Sequence, residues 1–318
     1  RLFVNLQLSS SPLVSVVIPV YNGEMHISVC MDSILCQSFS SFEAIFVDDG
    51  SVDNSFRILS ERASFDRRMK VIRQENMGVT CARRNGVKHA GGKYICFVDC
   101  DDRLLPDTLD ILYNKALLSD ADIVCGNSSY ADRIKFDHLQ TPLGYAAALL
   151  EQKVDLVVWA KLFRKSVLTD DVFDIPSHIK FAEDYIMNIR IAFHAERIYF
   201  IHDLIYQYSE YNEDSVTSTF QLTPIYVQEI CGYVLDEVRR AKAEDTLHKS
   251  VLLFLKYMIW MMIHQNVLDM DNDWINKTIR EIAPVLSSRE SIYLRMRSSF
   301  VFPILKKLKD WCNRLLNR

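Results

Sequence analysis

The chain has 318 residues, 49% of them hydrophobic, which is enough to bury a sizeable core in one main domain with an addition. Its formal net charge of −4 gives no reason to expect a nucleic-acid-binding protein. The eight cysteines form no CxxC pair, a pattern that favours reduced thiols in the cytoplasm over a disulfide framework or a zinc finger.

Short β-branched runs alternate with segments of helical periodicity over residues 14–98. The predicted strands cover residues 14–22, 42–47, 70–73 and 94–98, and the predicted helices cover residues 25–37, 54–62 and 80–90. Alternating elements of this kind predict an α/β fold with a mainly parallel central sheet flanked by helices. The loops that follow the strands then meet at one edge of the sheet, where open α/β folds bind ligands.

Three carboxylates follow the last of these strands, because residues 94–98 lead directly into Asp99, Asp101 and Asp102. Carboxylates gathered at a sheet edge repel one another, so a divalent cation is a natural partner for them. A solvated acidic turn is the alternative. On an extended backbone Asp99 and Asp101 point the same way, and Cys100 faces the other way as a small buried filler. Asp102 is then placed to cap the next helix.

Five ordered motifs resemble those of the family 2 glycosyltransferases. They are SVVIPVYN at 15–22, SILCQS at 33–38, VDDGSVD at 47–53, GVTCARRNG at 78–86 and FVDCDD at 97–102. Five motifs in order make the match specific, and it extends more weakly to about residue 220. The resemblance implies a GT-A fold, which is Rossmann-like, over residues 13–220, after an N-terminal extension at residues 1–12.

The resemblance implies a site for a nucleotide-sugar, usually a UDP-sugar, along the edge formed by these loops. The nucleotide-sugar contacts that it implies are Pro19, Tyr21, Asp48, Asp49, Arg83 and Asp99. Asp48 matches the acid that accepts a hydrogen bond from uracil. Asp99 and Asp101 match the DxD motif, whose first acid reaches the ribose or the metal and whose last acid holds Mn²⁺ or Mg²⁺ against the diphosphate.

One position departs from the family pattern. Arg84 stands where the family usually has asparagine after the arginine, so Arg83, Arg84 and Asn85 are all candidates for the nucleotide contact.

An acidic pair, Glu183 and Asp184, opens an apolar segment of helical periodicity. Acids in the first turn of a helix oppose its dipole favourably, so capping is one interpretation of the pair. The resemblance implies another, in which Asp184 is the general base that deprotonates the acceptor hydroxyl and Glu183 orients the acceptor or the loop.

Five further residues are candidates for the site, and three of them have two interpretations each. Trp159 is either an apolar face for a sugar ring or a core residue, and Lys161 either contacts a phosphate or belongs to a solvated basic stretch. Tyr208 and Ser215 match the last recognisable stretch of the family and could close over the diphosphate. His202 either ligates the metal or is a core or hydrogen-bonded histidine, and we favour the latter.

Residues 221–318 form a different region. Predicted helices cover residues 223–240, 247–267 and 274–286. The apolar run at 251–263 is shorter than a membrane span and contains Lys256, which favours a buried helix or a homo-oligomer contact. The basic amphipathic tail at 294–318 suits either an anionic membrane surface or docking on protein.

Together these features predict an inverting, metal-dependent glycosyltransferase that moves a sugar from a UDP-sugar to a hydroxyl of a glycan or lipid-linked glycan in cell-surface polysaccharide synthesis. It would act in the cytoplasm or at the inner face of the membrane. An inactive GT-A scaffold or interaction protein is the alternative. A nucleotide-dependent oxidoreductase is disfavoured because no GxGxxG turn follows the first strand.

Overall fold

In the computed structural model of this protein, residues 11–209 and 220–297 are described, and residues 295–297 by their backbone alone. The chain divides into two compact units, Arg1–Phe220 and Gln221–Arg318.

A nine-stranded sheet runs through the described part of the first unit. Its strands are β1 Val14–Val20, β2 Phe42–Asp48, β3 Met69–Arg73, β4 Tyr94–Phe97, β5 Arg103–Leu104, β6 Ile123–Ser128, β7 His138–Gln140, β8 Lys161–Arg164 and β9 Ile198–Gln207. They lie in the order β3-β2-β1-β4-β8-β6-β9-β5, and β7 pairs with β9. The first four in this order are parallel, as the sequence predicts. Because β8 lies antiparallel between β4 and β6, the sheet as a whole is mixed.

Six α-helices are described in the first unit. They are α1 Ile27–Leu35, α2 Ser55–Ala63, α3 Val79–His89, α4 Thr108–Ser119, α5 Pro142–Leu150 and α6 Glu183–His194, with 3-10 turns at Lys165–Val167 and Asp170–Phe173. The predicted strands and helices of residues 14–98 agree with the structure to within two residues at each end. The predicted α/β class is confirmed.

Helix α3 packs directly against the sheet. Strands β1 and β2 are buried along their whole length, which explains their continuous apolar runs. At Gly86 a Cβ atom would lie 2.4 Å from Cγ1 of Val17 and 3.3 Å from Cγ2 of Val47. Only a residue without a side chain allows this close approach. Arg83 lies three residues earlier on α3. The distance between α3 and the sheet at Gly86 therefore also sets the position from which the Arg83 side chain extends.

The second unit is helical where it is described. Its helices are α7 Pro224–Arg240, α8 Glu244–His264, α9 Asp273–Glu281 and α10 Ser288–Arg297, with a 3-10 turn at Ala283–Val285. Within this unit Lys256 Nζ lies 2.8 Å from Glu290 Oε1. The basic tail from residue 298 onward lies outside the described residues.

Helix α8 is longer than the apolar run that predicts it, because residues 244–250 precede the run. By length and composition alone α8 could cross a membrane, and half of its most apolar stretch is buried within the protein. The apolar run itself is shorter than a span, and the helix that contains it is long enough for one. A core helix of a globular domain meets the same two criteria, and a buried helix or a homo-oligomer contact stays our prediction for this segment.

Candidate active site

The carboxyl ends of β1 and β2 and the loops that follow them carry four of the predicted nucleotide contacts. Pro19 is buried in β1, and Tyr21 follows it with 51% of its surface exposed. The Asp48 side chain is fully buried at the end of β2, where Arg73 Nε lies 3.2 Å from its Oδ2. Neither carboxylate oxygen of Asp48 has an aligned hydrogen-bond donor among the described residues. A buried oxygen without an aligned donor is costly unless a ligand supplies one.

Asp49 shapes the loop before α3. Its carboxylate accepts the N–H groups of Met77 at 2.9 Å and Gly78 at 2.8 Å, and the side-chain amide of Gln74 at 2.7 Å. The carboxylate therefore holds this loop together, and its contact with a nucleotide stays a prediction.

The three acids after β4 lie in a turn. The Asp102 N–H donates to the Asp99 carbonyl at 3.1 Å, so the expectation of an extended backbone is wrong. Asp102 is 1% exposed and accepts hydrogen bonds from the Tyr206 hydroxyl and the Ser209 N–H, both at 2.8 Å. It does not cap a helix, because β5 intervenes before α4 begins at Thr108. Cys100 is half-buried against the core, close to the role of filler predicted for it.

A buried guanidinium joins the acids of β4 to those of α6. Arg83 is 2% exposed, and its Nη2 donates to Asp99 Oδ1 at 3.0 Å. Its Nη1 donates to Asp184 Oδ1 and lies 3.7 Å from Glu183 Oε1. The second oxygen of Asp184 accepts the Val158 N–H at 3.3 Å. We call Arg83, Asp99, Glu183 and Asp184 the Arg83 cluster. It brings together acids from two motifs that lie far apart in the sequence.

The Arg83 cluster shows which groups Arg83 contacts within the protein. Three carboxylates surround its guanidinium, and its direct contact with a nucleotide stays a prediction. Arg84 pairs instead with Asp170 at 2.8 Å on the surface, and Asn85 donates to Gln74 at 2.7 Å.

Carboxylates outnumber cations in the Arg83 cluster, and the pKa values reflect this. Burial, and then the charge of Asp184, raise the pKa of Glu183. Burial also raises the pKa of Asp99; Arg83 opposes the shift, while Asp184 and Asp101 add to it. Next to the cluster, burial and then the charges of Asp99 and Asp101 raise the pKa of Asp102 to about 8. A cation near Asp99 and Asp101 would relieve this repulsion, and their oxygen donors suit a hard dication such as Mn²⁺ or Mg²⁺.

Trp159 and Lys161 lie in the interior. Trp159 is 3% exposed and stacks on Tyr206 with ring centroids 4.6 Å apart, which agrees with the core interpretation. Lys161 is 1% exposed and donates to the carbonyls of Asp155, at 2.9 Å, and Val157. It is neither solvated nor aimed at a phosphate, because its ammonium binds backbone carbonyls, and burial lowers its pKa.

Tyr208 borders an open cavity of about 580 Å³ beside the turn. The cavity is lined by Asp101, Arg103, Leu104, Leu105, Ser129, Gln207, Tyr208 and Ser209. Tyr208 also stacks on Trp159 at 5.8 Å. Ser215, which we expected to act with Tyr208, lies outside the described residues.

His202 contacts a second group of acids. Its Nδ1 lies 2.6 Å from Asp137 Oδ1, and with Asp203 these residues form a group whose ligand atoms lie within 4.8 Å of one another. We call Asp137, His202 and Asp203 the His202 cluster. Lys115 Nζ also lies 2.7 Å from Asp137 Oδ2 and competes with any cation there. His202 is therefore hydrogen-bonded, as favoured from the sequence, and at the surface.

Sequence reasoning missed Tyr206 as a site residue. Its hydroxyl accepts the Asp99 N–H at 3.1 Å and donates to Asp102 Oδ2 at 2.8 Å. Residues two apart in an extended segment face the same side of a sheet. Because Tyr206 lies two residues before Tyr208, the sequence could have indicated that both tyrosines face the site.

The family model described as "Glycosyl transferase family 2" matches residues 15–142. This match places residues 15–142 in glycosyl transferase family 2. The chain's relatives include the poly(ribitol-phosphate) beta-glucosyltransferase of Bacillus spizizenii, which is 31% identical over 242 residues, or 73% of this chain and 37% of the relative. The chain spans less than two thirds of the length of the bacterial glycosyltransferases that it resembles in sequence.

Solved structures support the same family 2 fold. Staphylococcus aureus TarS, residues 1–349 in complex with UDP, superposes with a TM-score of 0.63 at 22% identity over 78% of this chain and 71% of that one. The mannosyltransferase PcManGT from Pyrobaculum calidifontis, in complex with GDP-Man and Mn²⁺, gives a TM-score of 0.55 at 16% identity over 92% of this chain and 81% of that one. At these identities the matches show the GT-A fold alone, which confirms the predicted architecture.

Proposed function

We propose that this chain is an inverting, metal-dependent glycosyltransferase that moves one sugar from a UDP-sugar to a hydroxyl of a glycan or lipid-linked glycan. The observation that carries the proposal is the Arg83 cluster. Through one guanidinium it places Asp99, the first acid of the predicted metal motif, beside Asp184, the predicted general base. A transferase needs its leaving-group site and its base on either side of one reacting carbon, and the proposal assigns these two roles to Asp99 and Asp184.

The donor end of the site is supported by Asp48. Its buried carboxylate has no aligned donor among the described residues, and the N3–H of a uracil would supply one. Tyr21 directly follows Val20, which lies opposite Asp48 in the sheet, and its exposed ring offers an apolar face for the base or ribose. The UDP complex of the structurally similar TarS is consistent with this donor.

Asp99 and Asp101 fit a resident dication and would hold it. When bound, Mn²⁺ or Mg²⁺ stabilises the charge that a departing nucleoside diphosphate acquires. Two side-chain oxygens do not complete the coordination of such an ion, so diphosphate oxygens and water would supply the other ligands. The Mn²⁺ in the PcManGT complex supports this choice of metal.

Asp184 takes the proton from the acceptor hydroxyl in this proposal. Arg83 and the Val158 N–H fix the orientation of its carboxylate. A carboxylate has about four lone-pair positions, and these two donors of the described residues take two of them, so the proposal assigns the others to the acceptor. Burial keeps a proton on Glu183 to higher pH than usual, and a neutral Glu183 could donate a hydrogen bond to the acceptor. A single displacement opposite the leaving diphosphate inverts the anomeric carbon.

The acceptor is proposed to belong to a cell-surface polymer or its lipid-linked precursor. The Bacillus spizizenii relative, named for poly(ribitol-phosphate), supports this class. We further propose that the enzyme acts in the cytoplasm, with the basic segment 294–318 attracting it to the inner face of the membrane.

Two substitutions test the roles of the acids. Asp101→Ala should abolish the Mn²⁺-dependent part of UDP binding, measured by calorimetry. Asp184→Asn should retain that binding and lower UDP-sugar turnover by about 10²–10⁴-fold, the usual contribution of a general base. Asp132→Ala removes an exposed acid that pairs with Lys135, and as a control it should change neither quantity.

Full activity in either site variant would refute the corresponding role. An inactive scaffold would show no UDP-sugar hydrolysis at all.

A further inference from the structure

The turn from Asp99 to Asp102 is held from one side by Tyr206. This tyrosine lies on β9 and its side chain is fully buried. Its hydroxyl accepts the Asp99 N–H at 3.1 Å and donates to Asp102 Oδ2 at 2.8 Å. One hydroxyl therefore binds both ends of the turn, and Asp101 lies between those ends.

The ring and strand of Tyr206 are themselves fixed. Its ring stacks on Trp159 with centroids 4.6 Å apart and planes 6° from parallel. Strand β5, which follows the turn, pairs with β9 so that Leu104 lies opposite Tyr206. The other oxygen of Asp102 accepts the Ser209 N–H at 2.8 Å. The hydroxyl thus occupies a defined position relative to the sheet.

We propose that Tyr206 is a positioning residue for the metal motif, and this inference rests on the proposed function. By fixing both ends of the turn, Tyr206 sets the direction in which the carboxylates of Asp99 and Asp101 face a dication and its diphosphate. Without the hydroxyl, a buried oxygen of Asp102 loses its donor and the Asp99 N–H loses its acceptor, and a turn in that state rearranges.

The substitution Tyr206→Phe isolates the hydroxyl, because the ring stacked on Trp159 is retained. The measurement is UDP affinity by calorimetry, once with Mn²⁺ and once with EDTA. We expect the gain in affinity that Mn²⁺ brings to fall by about tenfold, the effect of losing one strong hydrogen bond, while affinity in EDTA stays unchanged. A general loss of structure would instead lower both affinities and so contradict the positioning role.

Tyr94→Phe is the matched control. Tyr94 is 2% exposed and begins β4, at the opposite end of the strand from the turn. It should leave both affinities unchanged. Without metal, amide hydrogen exchange in a peptide covering residues 97–104 should be faster in Tyr206→Phe than in Tyr94→Phe. If Tyr206→Phe does not fold, Asp102→Asn replaces one of the oxygens that accept hydrogen bonds. UDP affinity with Mn²⁺ and with EDTA is then compared between Asp102→Asn and Tyr94→Phe.

The outcomes separate this inference from the proposed function. If Mn²⁺ increases UDP affinity equally in both tyrosine variants, the positioning role is overturned and the proposed function stands. If Mn²⁺ brings no gain in UDP affinity to the unaltered protein, the proposed function fails and the inference fails with it.

Discussion

The Arg83 cluster and the His202 cluster both place acids beside basic side chains, but they differ in exposure and in charge balance. In the Arg83 cluster, carboxylates that are 13–30% exposed share a guanidinium that is 2% exposed. In the His202 cluster, Asp137 has both Lys115 and His202 as partners, and the His202 side chain is 62% exposed. The same residue types therefore form a crowded, negatively charged site in one place and a satisfied surface group in the other.

The pKa values follow this difference. Burial and the charge of Asp184 raise the pKa of Glu183. Burial also acts to raise the pKa of Asp137. Hydrogen bonds from Lys115 and His202 outweigh burial there and lower the pKa of Asp137 to about 2. Perturbed acids in a cleft are the usual mark of a reactive site, whereas an acid with its cations in place stabilises structure.

Replacing Arg83 should have the largest effect on stability. Arg83→Met leaves three carboxylates without the guanidinium that they share, and removing one partner of a buried ion pair costs about 3–5 kcal/mol. We expect a loss of this size in the free energy of unfolding measured with urea. Arg84→Met is the matched control, since Arg84 pairs on the surface with Asp170, whose side chain is 74% exposed. Equal losses in the two variants would contradict the contrast between buried and exposed pairs.

Glu183→Gln should have an intermediate effect that depends on pH. Because the pKa of Glu183 is raised in the fold, the native state binds this proton more tightly than the unfolded chain does. The free energy of unfolding therefore falls as the pH rises from the ordinary glutamate pKa towards the raised one, by about 1.4 kcal/mol for each pH unit between them. Glutamine does not titrate, so the variant should gain stability relative to the unaltered protein over that range.

Thermal unfolding in EDTA, from about pH 5 to about pH 8, measures this gain. Glu61→Gln, which alters an exposed acid paired with Arg57 on α2, is the control and should show little change with pH. A relative gain of the same size in both variants would argue against crowding as its cause.

His202→Gln should have the smallest effect, and its stability relative to the unaltered protein should rise with pH, as for Glu183→Gln. The hydrogen bond to Asp137 raises the pKa of His202, so its contribution is fully present below the ordinary histidine pKa and is lost as the pH rises through the raised value. Thermal unfolding should show a slight loss in the variant at acidic pH and none at alkaline pH. A loss that grew with pH would show that this histidine is not stabilised by Asp137.

Local periodicity was enough to predict the first half of the sheet. The runs that became β1 to β4 are β-branched and end in turn residues, so their type and order could be predicted. The insertion of β8 between β4 and β6 could not, because it depends on the path of residues 103–160 and not on any pattern within β8.

The identities of the acids were easier to predict than their partners. Asp99 and Asp184 stand in recognisable motifs, but nothing local shows that Arg83 contacts both. Lys161 looks like part of a basic surface stretch, and only the tertiary fold buries it among backbone carbonyls. Burial is a property of the assembled chain, so roles that depend on it escape sequence reasoning.

Gly86 extends the functional importance of the site to a position with no chemistry of its own. An added methyl group would meet Val17 and Val47 and displace α3, and Arg83 would move away from its three carboxylates. A genetic screen for inactive forms of this protein should therefore recover substitutions on the side of α3 that faces the sheet as readily as replacements of the charged residues in the Arg83 cluster.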